Sequence, residues 1–356
     1  MKRRLLSLLL IVAVMASLLS FTGCGTANSK LIGVSMPTKS LQRWNQDGEN
    51  MKKSLEAAGF EVVLEYANDK VDQQVTQIEN MITKGCKVIV IASIDGTALK
   101  GALAAAAKED IKIIAYDRLI LDSPDVDYYA TFDNYLVGKI QGEYIETALG
   151  LKDGKGPFNM EAFGGSPDDN NAFYFNRGAM DVLQPYLDNG QLVCVSGQLD
   201  MEQIAIQGWK AEGAQARMDN LLTANYSDKK LDLVLSPNDS LAQGIVASLR
   251  AAGYGTADKP FPVLTGQDCD VINVKMLIAG EQSMSIFKDT RTLADQVVKM
   301  TTAIMNNTEV PVNDTETYDN GVKVVPSYLC APVFADKNNY EELLVKSGYY
   351  TADQLK

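Results

Sequence analysis

From Leu31 onward, short β-branched runs alternate with amphipathic stretches that stop at glycine, and no other feature limits the possible folds so strongly. Leu31–Met36 predicts a strand, Gln46–Ala58 a helix stopped by Gly59, and Glu61–Tyr66 a second strand. Val71, Val75, Ile78 and Ile82 recur at helical spacing before Gly85. Lys87–Ala92 is apolar nearly throughout, as a strand covered on both faces must be. Thr97–Glu109 then predicts a helix and Ile111–Tyr116 a strand. This strict alternation implies an α/β chain with a parallel sheet and helices on both of its faces. A second series follows, with strands at Tyr128–Phe132, Phe158–Phe163, Leu192–Val195, Leu231–Leu235, Pro262–Leu264, Ser283–Phe287 and Val322–Tyr328. Its helices fall at Leu136–Leu149, Phe173–Leu187, Gln203–Leu222, Leu241–Ala252 and Thr292–Met305. The 356 residues suffice for two such units at roughly 100–200 residues each. One strand-like segment too many for each half predicts that the chain crosses between two lobes more than once.

The amino end sets the compartment. Lys2, Arg3 and Arg4 precede an apolar run, Leu5–Leu19, too short and too asymmetrically flanked to span a bilayer but suited to a secretory signal. Phe21-Thr22-Gly23-Cys24 follows, resembling a bacterial lipobox except at Phe21, where an aliphatic residue is usual. The expectation is a signal peptide over residues 1–23, lipidation of Cys24 and a loose tether over residues 24–30. The net charge of −12 and the absence of a Lys/Arg run beyond the first residues exclude nucleic acid as a natural partner. The sequence holds no histidine, which removes Ser-His-Asp and Cys-His catalysis and histidine-based zinc sites. Cys86, Cys194, Cys269 and Cys330 are far apart and lie mostly beside apolar runs, so free thiols are expected.

In open parallel sheets, ligands bind beyond the carboxyl ends of the strands. Here those ends carry Ser93-Ile94-Asp95, Asp117-Arg118, Asp133-Asn134, Gly164–Asn171, Ser236-Pro237-Asn238-Asp239 and Thr265-Gly266-Gln267-Asp268. Any one of these acids and amides has a local reason to sit in a turn or at a helix N-cap. Six sets on the same edge of two sheets point further. Planar Asp, Asn and Arg groups exchange hydrogen bonds with adjacent hydroxyls in pairs, which suits a polyol better than an anion or an apolar molecule. The C–H faces of a sugar also accept aromatic rings. The two tryptophans, Trp44 after Gln42-Arg43 and Trp209 in Gln207-Gly208-Trp209-Lys210, both follow strand ends and suit that role. Gly253-Tyr254-Gly255 follows a helix and reads as a helix stop, and no Walker A sequence occurs. No cofactor or metal is expected.

Seven segments, in order, resemble the bacterial periplasmic sugar-binding proteins of ABC importers, closest to the xylose-binding and multiple-monosaccharide-binding group. They are Gln42-Arg43-Trp44, Ala115–Arg118, Phe132-Asp133-Asn134, Gly164–Ala172, Ser236–Asp239, Thr265–Asp268 and Phe287-Lys288. The resemblance spans about residues 31–335. It implies a type I periplasmic binding fold, two Rossmann-like lobes joined by a three-strand hinge. Residues 31–132 with 289–324 would form the first lobe and residues 133–288 with 325–356 the second, with crossings near Asp133, Lys288 and Val325. It also implies that Arg43, Asp117, Arg118, Asp169, Asn171, Asn238, Asp268 and Lys288 hydrogen-bond a monosaccharide while Trp44 and Trp209 cover its faces. Asp95 is a further candidate, and Arg177 is taken as structural. The implied partners are the sugar, an ABC permease and the membrane through the Cys24 anchor, with a sensor ectodomain as an alternative to the permease; a monomer is expected. The rival from another class is a lipid-anchored glycosidase using two of the carboxylates. Arg118 and Lys288 beside those acids argue against it, because they would hold them ionised.

Overall fold

The computed structural model describes residues 30–356. The signal segment, Cys24 and all but the last residue of the tether lie outside the described residues. The first sheet contains β1 (Leu31–Met36), β2 (Glu61–Tyr66), β3 (Val88–Ile91), β4 (Lys112–Tyr116), β5 (Tyr128–Phe132) and β11 (Ser327–Cys330), in the order β11-β5-β4-β3-β1-β2. All its pairings are parallel. Alternate residues along β3 explain its unbroken apolar run. Val88 and Val90 join Ile32, Val34 and Ile114 in the core on one face, while Ile89 and Ile91 join Ile113 and Ala115 on the other.

The second sheet has β7 (Leu192–Cys194), β6 (Phe158–Ala162), β8 (Leu233–Leu235) and β9 (Val263–Leu264), again parallel. A bridge from Gln267 to Ile286 continues it to β10 (Met284–Phe287), whose other edge pairs antiparallel with β12 (Val333–Asp336). The chain passes to the second lobe between β5 and the helix Asn134–Leu149. It returns between β10 and the helix Thr290–Met305, which packs on the helix Gln42–Ala57 of the first lobe. The third crossing departs from expectation. Ser327–Cys330 pairs with Tyr129–Phe132, so residues 325–330 belong to the first lobe and the chain leaves it only between Cys330 and Val333. The expected strand began too early because Val322 and Val324 are apolar yet exposed, and Pro326 interrupts the run.

Most helices differ from the expected bounds by one to three residues, and two differ further. The helix expected from Gln46 starts at Gln42, so Arg43 and Trp44 stand in its first turn. The helix expected over Gln203–Leu222 is broken. A single turn, Met201–Ile204, and a tight turn at Gln207–Trp209 precede a helix at Ala211–Asn225, because Gly208 and Trp209 adopt φ of 67° and 57°. Cys86, Cys194, Cys269 and Cys330 are all free.

In the second lobe the helices Asn134–Leu149 and Asn170–Asp188 cross at backbone contact. A Cβ on Gly138 would lie 1.9 Å from the Phe175 carbonyl oxygen, and one on Gly178 would lie 2.1 Å from that of Tyr135. This crossing holds the helix that carries Asn171 and Phe175. Gly138→Ala is expected to destabilise by at least about 1–3 kcal/mol, read as a lowered urea midpoint. Gly101→Ala, at an exposed helical position where an added Cβ meets nothing within 4 Å, should stabilise by roughly 0.5–1 kcal/mol. Equal midpoints for Gly138→Ala and the wild type would show that the crossing yields freely.

Candidate ligand-binding cleft

The carboxyl ends of both sheets face one another across a chamber of about 40 Å³. Arg43 is its hub. Its Nε donates to Asp47 Oδ2 at 2.9 Å, its Nη1 to Asp268 Oδ1 at 3.2 Å, and its Nη2 to Asp117 Oδ2. Burial alone would favour loss of the proton, but Asp117, Asp47 and Asp268 outweigh it and raise the Arg43 pKa well above its ordinary value. Tyr116 donates to the other oxygen of Asp47. Burial still pushes the Asp47 carboxyl up, against the pull of Arg43.

Asp117 follows β4 in the left-handed region, with φ of 59°, which turns its side chain away from the strand and toward Arg43. The turn is tied down by its own carbonyl, which accepts from Tyr129 Oη at 2.6 Å, Thr131 Oγ1 at 3.0 Å and Asn171 Nδ2 at 2.7 Å. Burial would raise the Asp117 carboxyl, yet Arg43, Lys288 and Arg118 together lower it. Asp268 also has positive φ, 101°. Lys288, 2 % exposed, places Nζ 3.4 Å from Asp268 Oδ1 and 3.6 Å from Asp117 Oδ2.

Asp169 caps the helix Asn170–Asp188 by accepting from Asn171 N at 3.0 Å. Its second oxygen accepts from Trp209 Nε1 at 3.2 Å and stands 3.0 Å from Arg118 Nε. Arg118 was expected to hold such a neighbour ionised, but burial prevails over it and the Asp169 carboxyl is pushed up. Asn238 caps the next helix through Leu241 N, at 3.0 Å, while lining the chamber.

Trp44 and Trp209 line opposite lobes of the chamber. Arg43 and Arg118 lie 5.2 and 5.1 Å from the Trp44 ring, which fixes its plane. Trp209 packs edge-on to Phe175, with centroids 6.3 Å apart, and fills the space that a side chain at Gly165 would need.

Ten of the eleven expected ligand residues line this chamber. Asp95 does not. Its Oδ1 accepts from Thr97 N and Thr97 Oγ1 at 2.8 and 2.7 Å, in a local turn outside the chamber lining. Arg177 stacks on Tyr174 and Tyr135, outside the chamber. Phe175, Ser240, Gln267 and Asp270 also line it and were not among the expected residues. Phe175 was detectable as one helical turn beyond Asn171, and Gln267 as the neighbour of Asp268.

Three contacts join the lobes across the chamber, namely Arg43 with Asp268, Lys288 with Asp117, and Asn171 with the Asp117 carbonyl. Arg118 with Asp169 adds a fourth. The lobes are therefore closed, with paired charges bridging the cleft between them. Such an assembly defines a two-lobed solute receptor.

Residues 32–309 match the family model described as the periplasmic binding protein domain, and the chain belongs to that family. It is 56% identical over 330 residues to the multiple sugar-binding periplasmic receptor ChvE of Rhizobium radiobacter, covering 93% of each chain. It is 36% identical to the D-xylose-binding periplasmic protein of Escherichia coli K12, covering 97% of this chain and 98% of that one. A solved ABC transporter solute-binding protein from Clostridium phytofermentans with bound β-D-glucose superposes with a TM-score of 0.88 at 60% identity, covering 92% of this chain and all of that one.

Asp270 supplies a pH test of this packing. It is 8 % exposed, its N–H donates to Asp239 Oδ2, and its Oδ1 has no partner. Burial and then Asp268 push its carboxyl from the ordinary 3.8 up to about 7, against Arg43. The folded state thus keeps a proton that the unfolded chain releases, so this group's contribution to stability falls as pH rises from about 4 to about 7. Asp270→Asn should melt increasingly above the wild type across that window and hold a constant margin at higher pH. A melting difference independent of pH would contradict the assignment.

Proposed function

We propose that the chain captures a neutral monosaccharide of the glucose, xylose, galactose or arabinose type between its lobes and delivers it to an ABC permease. The observation that carries this is the chamber itself. Three cations and the acids Asp117, Asp169 and Asp268, each held against a cation, leave little net charge to match an ionic ligand while offering many charge-assisted partners to hydroxyls. Two indole rings supply the apolar faces that a pyranose needs. The named ligands of the similar proteins, D-xylose and β-D-glucose, support the same class. Secretion through the segment 1–23 and tethering by lipidated Cys24 would hold the receptor at the outer face of the membrane. Among the described residues no helix is long and apolar enough to cross a membrane.

Sugar binding needs no bond to break. The acids Asp117 and Asp268 share Arg43 and Lys288, and Asp117 is held ionised, which suits hydrogen bonding and makes Asp117 itself a poor proton donor for glycoside cleavage. The closed form is also what a sensor ectodomain would read, so signalling is the second reading.

Calorimetry with glucose, xylose, galactose, arabinose and ribose tests the proposal. At least one should bind stoichiometrically, and nitrophenyl glycosides should show no turnover. Asp117→Ala and Asp268→Ala should each weaken that sugar by about 10–100-fold, since bonds to charged groups contribute roughly 1.5–3 kcal/mol each. Each should also lower the melting temperature, because a buried cation loses its partner. Unchanged affinity in both variants would refute the site.

A further inference from the structure

The carboxyl-terminal segment makes contacts that the chamber does not explain. Tyr350 is anchored in the second lobe, in a cluster with Cys269, Val274, Leu344 and Leu355, and its hydroxyl donates to the Cys269 carbonyl at 2.9 Å. The same hydroxyl accepts from Gln42 Nε2 at 2.9 Å and Gln46 Nε2 at 3.0 Å, both on the first-lobe helix that carries Arg43. Gln42 completes the circuit, its Oε1 accepting from Val271 N of the second lobe at 3.2 Å. Tyr349 repeats the pattern one residue earlier. Its hydroxyl meets Gln46 Oε1 at 3.2 Å, and its ring packs edge-on against Phe287 and Tyr350.

Gln42 and Gln46 lie one helical turn apart, so both amides present to the same side. Gln42 adjoins Arg43, and Cys269 adjoins Asp268, the pair that meets across the chamber. Tyr350, Gln42 and Gln46 do not line the chamber, so a sugar does not touch them. We propose that Tyr350 is a positioning residue for ligand capture, latching the first-lobe helix to the second lobe when the cleft closes and thereby slowing sugar release. The latch rests on the proposal that closure around a monosaccharide is the function. Its bonds stabilise the closed state without being part of the encounter, so they act on dissociation far more than on association.

The test compares wild type, Tyr350→Phe, Gln42→Ala and the double variant. Release of D-glucose, or of whichever panel sugar binds the wild type in calorimetry, is followed by stopped-flow tryptophan fluorescence. Tyr350→Phe keeps the ring in its cluster and removes only the hydroxyl. Its dissociation rate should rise by about 5–10-fold, the loss expected for one or two buried neutral hydrogen bonds, with the association rate within about twofold of wild type. The ligand-free melting temperature should fall only by the few degrees that losing the hydroxyl's bond to the Cys269 carbonyl within the second lobe costs, and Gln42→Ala, which leaves that bond intact, should speed release with the ligand-free melting temperature within roughly 2 °C of wild type. The double variant should release sugar little faster than the faster single variant, because the two groups act as one contact. An unchanged dissociation rate, a multiplicative effect in the double variant, or a fall in ligand-free stability that accounts for the change would each overturn the latch. Sugar binding by the wild type with an inert Tyr350→Phe defeats the latch alone. No binding by the wild type to any panel sugar defeats the functional proposal and the latch with it.

Discussion

Arg43, Asp117, Lys288 and Asp268 form a buried ring of alternating charge, and the closed arrangement of the lobes depends on it. Arg43 and Asp117 come from the first lobe, Lys288 and Asp268 from the end of the second. Removing four such groups from water is costly, and their mutual attraction recovers the cost only where the geometry is good. The closed arrangement is therefore held by opposing terms, desolvation against mutual attraction. A ligand able to bond to both lobes at once needs to contribute only its differential contacts to tip the population, which is the physical basis of a receptor that reports occupancy by its shape.

The ring is held in place by backbone features outside it. Positive φ at Asp117 and at Asp268 turns each carboxylate from its strand end into the cleft, and three donors on the Asp117 carbonyl hold that turn. One of the three, Asn171, comes from the opposite lobe, so the turn and the closure support each other. The strained backbones of Asp117 and Asp268 both face the chamber, as expected where geometry is selected for binding rather than for stability.

Much of this was legible in the sequence, for reasons that differ by residue. The strand Val88–Ile91 was plain because both of its faces are buried and every position is apolar. The strand-end acids were plain because a parallel sheet directs its carboxyl ends to one edge. The first helix was expected four residues late, because its opening turn spends Arg43 and Trp44 on the cleft between the polar Gln42 and Asn45, where a helix usually declares itself by apolar spacing. The break before Trp209 was hidden by helical periodicity on either side of Gly208. Asp95 shared its position at a strand end with the chamber acids, and only its local bonds to Thr97 distinguish it. The contacts of Tyr350 with Gln42 link residues more than 300 positions apart, and no local pattern announces such a pair.

Small-angle scattering of the purified chain, with and without a sugar whose saturation calorimetry has established, addresses the central claim directly. A contraction of the radius of gyration on saturation, absent in Asp268→Ala at the same sugar concentration, is the predicted result. Superimposable profiles for the free and saturated wild type would contradict the account, since the ring would then hold the lobes shut whether or not a ligand lies between them.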